Sequence, residues 1–310
     1  MTQEAQAQPR VLILGASGLL GYHCVQKFKQ NHQVLGTVCS RAPQSISEVH
    51  FDIESNDSLR EILESFRPDA IINTIGFVTV DGCQQQPDKA HLLNVEFVRQ
   101  LVTIMDTIGL TDSHLVQISS DSVYGCLPGN KQQKYRPWCE DDPVNPLSAY
   151  AETKYLGELE ALKHTGPVSI LRTAFYGINP NSKKSLLWWI IDNALNGREM
   201  DGWENIYFNP LSATDLVEVI NDMLLKKVEG VFNVGSTDAC NKYDFVESVC
   251  VALDIQTKLN RVSSNFNEMS TIRPHYSVVG VDQLYKALSW KRSWHDSLLA
   301  YLSNMPPFPK

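Results

Sequence analysis

Apolar runs alternate with amphipathic stretches over the first half of the chain. Val11-Leu-Ile-Leu14 is a continuous apolar run that ends at a glycine, which is typical of a strand buried on both faces of a parallel sheet. A helical pattern follows to about residue 30, and further strands are predicted at residues 33–38, 69–73 and 114–119. Because strands and helices alternate up to residue 173, the pattern predicts an α/β fold with a doubly wound parallel sheet.

The pattern is less regular beyond residue 173. Helices are predicted around Trp188 and Trp189 and over residues 215–227 and 242–253, and residues 230–235 are predicted as one more strand of the sheet. We therefore expect a cofactor-binding domain at residues 1–173, to which segments near 205–237 return. Residues 174–310 should form mainly a smaller C-terminal substrate lobe.

Composition narrows the functional class. The 310 residues are 43% hydrophobic and 20% charged, with a formal net charge of −8, so no nucleic-acid partner is expected. No apolar run approaches the ~18 residues that span a bilayer, and residues 1–10 lack the apolar core of a signal peptide, so no membrane partner is expected. The seven cysteines form no CxxC pair. We expect reduced thiols, no metal site and a cytoplasmic location.

A glycine-rich turn, Gly15-Ala-Ser-Gly18-Leu-Leu-Gly21, lies between the first strand and the first helix. Glycines at such a turn let the backbone approach a pyrophosphate, and the helix N-terminus favours the anion. The spacing is GxxGxxG, not GxGxxG. Its position between a buried strand and a helix nevertheless predicts a dinucleotide site in a Rossmann domain.

The end of the second strand bears on the choice of dinucleotide. A carboxylate there would bind the ribose 2′-OH of NAD, but the segment is Cys39-Ser40-Arg41. Ser40 and Arg41 are suited to a 2′-phosphate, which favours NADPH and leaves NADH open. Asp52 lies further on, where a carboxylate can meet the adenine amino group.

A second segment carries candidate chemistry. Ser148 is placed to cap a helix that runs from Tyr150 to about Leu162. Residues four apart share a helix face, so Tyr150 and Lys154 should project side by side. A neighbouring ammonium lowers the pKa of a phenol, which suits proton transfer near neutral pH. The same spacing also occurs on solvated helix faces, so the interpretation depends on the rest of the chain.

Together these segments resemble the extended short-chain dehydrogenase/reductase superfamily, and within it the dTDP-4-dehydrorhamnose reductase family. The matching motifs span nearly the whole chain in the family's order. They are Gly15-Ala-Ser-Gly18-Leu-Leu-Gly21, Asn73 to Asp81 with Cys83, Ser119-Ser120-Asp121, Asn145 to Glu158, Leu171-Arg-Thr173 and Arg273-Pro274. The resemblance implies an NADPH-dependent reductase of a keto group, at C4, of a 4-keto-6-deoxy or related nucleotide sugar.

The resemblance also implies roles for the matching residues. Tyr150 would protonate the carbonyl oxygen as hydride arrives, Lys154 would lower its pKa and hold the nicotinamide ribose, and Ser120 would polarise the same oxygen. Asp121 would lie beside the substrate. The residues implied to hold the cofactor are Gly15, Ser17, Gly18, Leu19 and Leu20 at the pyrophosphate, Asp52 and Ile53 at the adenine, Ile75 and Gly76 at the inner ribose, and Thr173 near the nicotinamide.

Two further residues are candidates for binding the substrate. Adjacent helix positions point about 100° apart, so Trp188 and Trp189 cannot face one surface, and we expect Trp189 to face the substrate while the other packs in the core. The alternative is that both are buried or that one closes a subunit contact. Arg273 is the candidate for the substrate diphosphate, because a guanidinium matches phosphate oxygens two at a time; a surface ion pair is its alternative. A departure from the family at Phe77 bears on the nicotinamide side of the pocket, and another at His275 leaves the contacts of the substrate lobe open.

Other functions stay open. A sugar-nucleotide dehydratase would need a base where this chain has Ser122, and a serine cannot remove the proton. A 4-epimerase usually carries the acidic NAD-binding residue that the second strand lacks here. A non-catalytic regulatory subunit of the same fold is a third alternative, because the methionine adenosyltransferase beta subunit resembles this family closely. The oligomeric state, including a homodimer, is open as well.

Overall fold

The computed structural model describes residues 8–39, 41–45, 47–125, 136–264, 271–306 and 308. Its strands are mostly short apolar segments that end at polar or glycine-containing turns. In chain order they are β1 (Arg10–Leu14), β2 (Gln33–Val38), β3 (Glu48–His50), β4 (Ala70–Asn73), β5 (His114–Ile118), β6 (Val168–Thr173), β7 (Phe175–Tyr176), β8 (Glu199–Trp203), β9 (Tyr207–Phe208), β10 (Leu211–Ser212), β11 (Gly230–Val234), β12 (Cys240–Asn241) and β13 (Lys258–Val262).

Seven of these strands form one parallel sheet in the order β11-β6-β5-β4-β1-β2-β3. The strand order reverses beside β1, which pairs with β2 on one side and with β4 on the other. In open α/β sheets, ligands bind at the carboxyl ends of the strands near such a reversal. The predicted doubly wound fold is confirmed, and its topology indicates where a ligand should bind.

The helices connect the strands and cover both faces of the sheet. They are α1 (Leu19–Phe28), α2 (Asn56–Phe66), α3 (Val80–Gln85), α4 (Pro87–His91), α5 (Phe97–Thr107), α6 (Ala149–Ala161), α7 (Leu186–Leu195), α8 (Ala213–Lys226), α9 (Lys242–Ala252), α10 (Asp282–Leu288) and α11 (Trp294–Ser303). No helix in the described ranges is both long enough and apolar enough to cross a bilayer.

The pleat of β1 divides the core into two layers. Val11 and Ile13 point to the face covered by α1, α8 and α10, whereas Leu12 and Leu14 point to the face covered by α2, α5 and α6. A strand buried on both faces in this way explains the continuous apolar run in the sequence.

The helical stretch from Pro87 to Thr107 contains an irregularity that the sequence pattern does not indicate. Residues Leu92–Glu96 form a π-helical segment between α4 and α5. Such a segment places one extra residue in the helix, and it is frequent at functional sites. Asn94 lies inside it and is buried, so the irregularity turns one polar side chain toward its neighbours.

The chain after β6 divides between two cores. Side chains of α8 and β11 pack in the same core as Val11 and Ile13. Helices α7, α9 and α11 surround a separate core with Tyr176 and Phe208 near its centre. The C-terminal part of the chain therefore both completes the sheet and builds a second group of elements beside its carboxyl edge.

Candidate active site

The turn after β1 is a narrow backbone cradle. Gly15 has a φ of +87°, and a Cβ at this position would lie 2.8 Å from Thr74 Oγ1. A Cβ at Gly21 would lie only 2.2 Å from the carbonyl oxygen of Gly15. Both positions therefore require glycine, because α1 begins in direct contact with the turn.

The start of α1 offers donors to an anion. Gly18 is the N-cap residue and supplies no side-chain cap, so the backbone N–H groups of the first turn, including those of Leu19 and Leu20, are left for a ligand. Asn179 Nδ2 donates to the carbonyl oxygens of Ser17 at 2.8 Å and Gly18 at 3.2 Å, which fixes the turn from the C-terminal part of the chain. These residues fit the pyrophosphate of a dinucleotide.

Arg41 lies against a carboxylate that the sequence analysis missed. Its Nη1 and Nη2 donate to the two carboxylate oxygens of Glu48 at 2.8 Å and 2.6 Å. Glu48 belongs to the neighbouring strand β3, so the segment around Arg41 gives no sign of it in the sequence. Glu48 offsets much of the charge that Arg41 would offer a 2′-phosphate. Ser40, the other residue predicted there, lies outside the described residues.

Asp52 and Ile53 follow β3 at the carboxyl edge of the sheet. The Asp52 carboxylate is exposed and accepts a hydrogen bond from the backbone of Glu54 at 3.0 Å, while Ile53 packs on the core. Phe51 N–H donates to the carbonyl oxygen of Val38 at 2.9 Å, which keeps both residues beside the end of β2. This is where the adenosine half of a dinucleotide lies in such folds.

Ile75 and Gly76 follow β4, and Asn94 holds their loop. Asn94 Oδ1 accepts from the Phe77 N–H at 2.8 Å, and its Nδ2 donates to Thr153 Oγ1 at 3.0 Å. A Cβ at Gly76 would lie 3.0 Å from Asn94 Oδ1 and 3.9 Å from Lys154 Nζ, so the loop lies directly against α6. Asn94 is thus a positioning residue that the sequence analysis did not single out.

Ser120 and Tyr150 meet at the carboxyl end of β5. The buried Ser120 Oγ lies 3.1 Å from Asp121 Oδ1 and accepts from the Ser122 N–H at 3.1 Å. Burial of the phenol raises the pKa of Tyr150 to about 12, against a smaller lowering by its hydrogen bond with Ser120. The lowered pKa expected from Lys154 is therefore wrong. Tyr150 is fully protonated at neutral pH and is ready to act as an acid.

Lys154 lies one helical turn further along α6, as predicted, but its ammonium is held by the backbone. Nζ donates to the carbonyl oxygen of Ile118 at 2.5 Å. Burial lowers the pKa of Lys154 to about 8, opposed by the negative charge of Glu158. Desolvation raises the pKa of the phenol and lowers the pKa of the ammonium. Each side chain therefore favours its neutral form more than it would in water.

A buried ion pair sets the position of α6. Arg172 Nε and Nη2 donate to the Glu158 carboxylate at 3.0 Å and 2.7 Å, and Ser119 also contacts this carboxylate. Arg172 Nη1 donates to the Tyr124 hydroxyl at 3.0 Å. Since these residues come from β6, from α6 and from the end of β5, the network holds α6 against the sheet.

Thr173 ends β6 on the same edge. It is buried, and its Oγ1 has no hydrogen-bond partner among the described residues. Such an orphaned hydroxyl is unusual and is a group that a ligand amide can satisfy. Together with the glycine turn, it fits the nicotinamide end of a dinucleotide.

Two neighbouring cavities, which share part of their lining, open near the carboxyl end of β5. The smaller, of about 470 Å³, is lined by Asp121, Ser122 and Ser148, and the larger, of about 910 Å³, is lined by Trp189. Trp189 is 41% exposed, whereas Trp188 stacks on Phe308. The described residues that line both cavities are Trp203, Lys242 and Arg273.

Charged groups surround the smaller cavity. Burial raises the pKa of Asp121, and the hydrogen bond from Ser277 opposes this shift. Arg273 Nη2 donates to Asp81 Oδ2 at 2.7 Å. The structure thus brings the predicted Asp121, Trp189 and Arg273 to the cavities and adds Lys242 and Trp203, which no pattern in the sequence indicated. Within the described ranges, no three His, Cys, Asp or Glu side chains are arranged to hold a metal ion.

The glycine cradle, the Ser–Tyr–Lys set and the charged cavity agree with the family to which this sequence is similar. Residues 9–306 match the family described as the RmlD substrate binding domain. The chain belongs to this family. The resemblance predicted from the motifs is confirmed.

Relatives of this RmlD-family chain include proteins of different function. A probable dTDP-4,6-dihydroxy-2-methyloxan-3-one 4-ketoreductase of Streptomyces antibioticus is 27% identical over 296 residues, 93% of each chain. The methionine adenosyltransferase 2 subunit beta of Bos taurus is 26% identical over 286 residues, which are 89% of this chain and 81% of that protein.

A solved structure agrees in fold over nearly the whole chain. The crystal structure of dTDP-4-dehydrorhamnose reductase from Bacillus anthracis, in complex with NADP, has a TM-score of 0.82 at 20% identity. The superposition covers 96% of this chain and all of that chain. The predicted oxidoreductase activity agrees with the names of both reductases, and the predicted NADP cofactor agrees with the NADP bound in the Bacillus anthracis structure.

Proposed function

We propose that this RmlD-family chain is an NADPH-dependent reductase of the C4 keto group of a 4-keto-6-deoxy nucleotide sugar. The contact between Ser120 and Tyr150, beside a cavity lined by Arg273, carries the proposal. Two donors that converge at one point beside a cavity are what a carbonyl oxygen requires when it becomes an alkoxide. The names of the two similar reductases support the choice of a nucleotide-sugar substrate.

The side chains divide the work of reduction among them. NADPH, when bound, supplies the hydride. Ser120 can turn its single proton from Asp121 to the carbonyl oxygen, and Tyr150 transfers its phenolic proton to the same oxygen. Lys154, whose ammonium is anchored at the end of β5, would hold the nicotinamide ribose. The high pKa of Tyr150 keeps its proton available until a stronger base, the alkoxide, forms.

The proposal is tested by following NADPH absorbance with a panel of keto-sugar nucleotides that differ in base and in sugar stereochemistry. We expect oxidation of NADPH with at least one 4-keto-6-deoxy member, and NADH to be the poorer donor. The matching free keto-sugar, without its nucleotide, is the control and should react far more slowly. Absence of NADPH oxidation across the panel, with a folded protein that binds NADPH, would contradict the proposal.

A regulatory role is the second candidate, because the methionine adenosyltransferase 2 subunit beta is among the similar proteins. The Ser120, Tyr150 and Lys154 set is complete in this chain, which favours turnover. A regulatory subunit would bind NADPH without oxidising it. It would instead change the kinetics of an enzyme that it binds.

We also propose that residues 1–173, joined by segments near 205–237, form the cofactor-binding domain, and that residues 174–310 form mainly the substrate lobe. The shared core of β1, α8 and β11 supports the return of the chain to the sheet. The separate core around α7, α9 and α11, beside the larger cavity, supports a substrate lobe.

A further inference from the structure

Lys242 is the first residue of α9 and carries an ammonium in an unusual setting. Its Nζ lies 3.2 Å from the centre of the Phe208 ring. Burial, joined by the nearby Arg273, lowers its pKa to about 8, and Asp121 opposes this shift. Keeping two cations close together in a partly desolvated place is costly unless an anion binds between them.

The position of this pair matches the middle of an elongated ligand. Lys242 and Arg273 line the smaller cavity beside Asp121 and also the larger cavity beside Trp189, so they lie where the two spaces meet. A nucleotide sugar has its sugar at one end, its nucleoside at the other and its diphosphate between them. With the sugar beside Ser120 and Tyr150, the diphosphate falls at the boundary of the cavities.

The remaining charges restrict an anion to this boundary. Among the described lining residues, Lys242 and Arg273 are the only cations of either cavity. Asp81 and Asp121 line the smaller cavity, and carboxylates of β8 line the larger one. A diphosphate would be repelled on both sides and attracted only between them. In addition, Arg273 Nε has no partner among the described residues, so the guanidinium retains unused hydrogen-bonding capacity.

We propose that Lys242 is a substrate-binding residue whose ammonium, together with Arg273, binds the diphosphate of the nucleotide sugar. The inference rests on the proposed function for the identity of the ligand. The two cations have different tasks. Arg273 is already hydrogen-bonded to Asp81 at 2.7 Å and orients the diphosphate, whereas Lys242 lies over the Phe208 ring and adds its positive charge.

The test is direct binding of UDP, dTDP, inorganic pyrophosphate and uridine to the full chain, measured by titration calorimetry. The variants are Lys242→Met, which keeps the apolar stem over Phe208, and Lys242→Arg, which keeps the charge. Lys286→Met removes a lysine from an exposed position on α10 and is the matched control.

We expect Lys242→Met to weaken the diphosphate probes by roughly 10–100-fold, as for loss of a charge-assisted contact. Uridine and NADPH binding should be unchanged, Lys242→Arg should retain most of the affinity, and Lys286→Met should match the wild type. Equal affinity of Lys242→Met and wild type for the diphosphates would overturn the proposal, as would a wild type that binds none of them. If Lys242→Met melts early, the pH dependence of UDP binding decides: a fall in affinity above about pH 8 that Lys242→Arg abolishes supports the proposal, and the same pH dependence in wild type and Lys242→Arg overturns it.

Failure of this inference is distinguishable from failure of the proposed function. A chain that reduces no keto-sugar nucleotide, yet loses diphosphate binding in Lys242→Met, supports the binding site and contradicts the activity. A chain that reduces a keto-sugar nucleotide with an unchanged KM in Lys242→Met supports the activity and contradicts the binding site.

Discussion

At the scale of single residues, Tyr150 is the group on which the proposed chemistry depends. In that mechanism its proton is the one that the alkoxide takes, and phenylalanine in its place preserves the packing of α6. We expect Tyr150→Phe to lower kcat by roughly 10²–10⁴-fold, the usual contribution of a general acid. NADPH affinity, measured by fluorescence titration, should change little. A variant with near-normal turnover on the true substrate would remove Tyr150 from the mechanism.

The ion pair between Arg41 and Glu48 should limit how much Arg41 contributes to the preference for NADPH over NADH. Because Glu48 already takes both Nη groups of Arg41, the arginine has less charge left for a 2′-phosphate than an unpaired one. We expect Arg41→Ala to weaken NADPH by about 10-fold, the low end for a charge-assisted contact, and to leave NADH unchanged. Glu48→Gln should strengthen NADPH. Equal effects on NADPH and NADH in titrations would show that this pair does not contact the 2′-phosphate.

The lowered pKa of Lys242 should make diphosphate binding depend on pH. The groups that act on it are Asp121 and Cys240, which raise its pKa, and Arg273, which joins burial in lowering it to about 8. The protonated form, present below that value, is the one that attracts the diphosphate, so UDP affinity should fall as pH rises through about 8. Lys242→Arg should abolish the fall, because a guanidinium keeps its proton. Calorimetric titrations from pH 6.5 to 9.5 measure both.

At the scale of elements, the contact between α6 and the π-helical segment fixes the catalytic helix. A Cβ at Gly157 would lie 2.3 Å from the carbonyl oxygen of Asn94. Gly157→Ala should therefore move α6 and destabilise the fold by about 1–3 kcal/mol, the usual cost of overpacking. Gly280→Ala is the control, since its Cβ would meet no atom closer than 3.5 Å. Urea unfolding measures stability, and unchanged stability of Gly157→Ala would contradict the tight contact.

Features that are local to one element could be predicted from the sequence, whereas contacts between elements could not. The apolar run of β1 and the Ser148 cap of α6 are local patterns, and the structure has both, with the cap accepting from Ala151 N–H at 3.3 Å. Glu48 and Lys242 come from other elements, β3 and α9, and reach the site only through the fold. The raised pKa of Tyr150 likewise depends on how much of the chain surrounds the phenol.

At the scale of the whole molecule, the cofactor-binding sheet depends on residues far along the chain. The core over Val11 and Ile13 is completed by Leu216, Phe232 and Leu284. A fragment ending at residue 173 would expose this face to water, and we expect it to show no cooperative thermal unfolding by circular dichroism. The full chain should unfold cooperatively under the same conditions. Cooperative melting of the fragment would show that the sheet folds without the returning segments.

The π-helical segment Leu92–Glu96 has a consequence for how this protein can evolve. Deleting one residue there would restore a regular helix but turn the preceding α4 by about 100° relative to α5. Asn94 would then leave Phe77 and Thr153, and the loop beside Gly76 would lose the side chain that holds it. Surface loops of this chain can gain or lose residues at little cost. The length of this one helix cannot change without disrupting the active site.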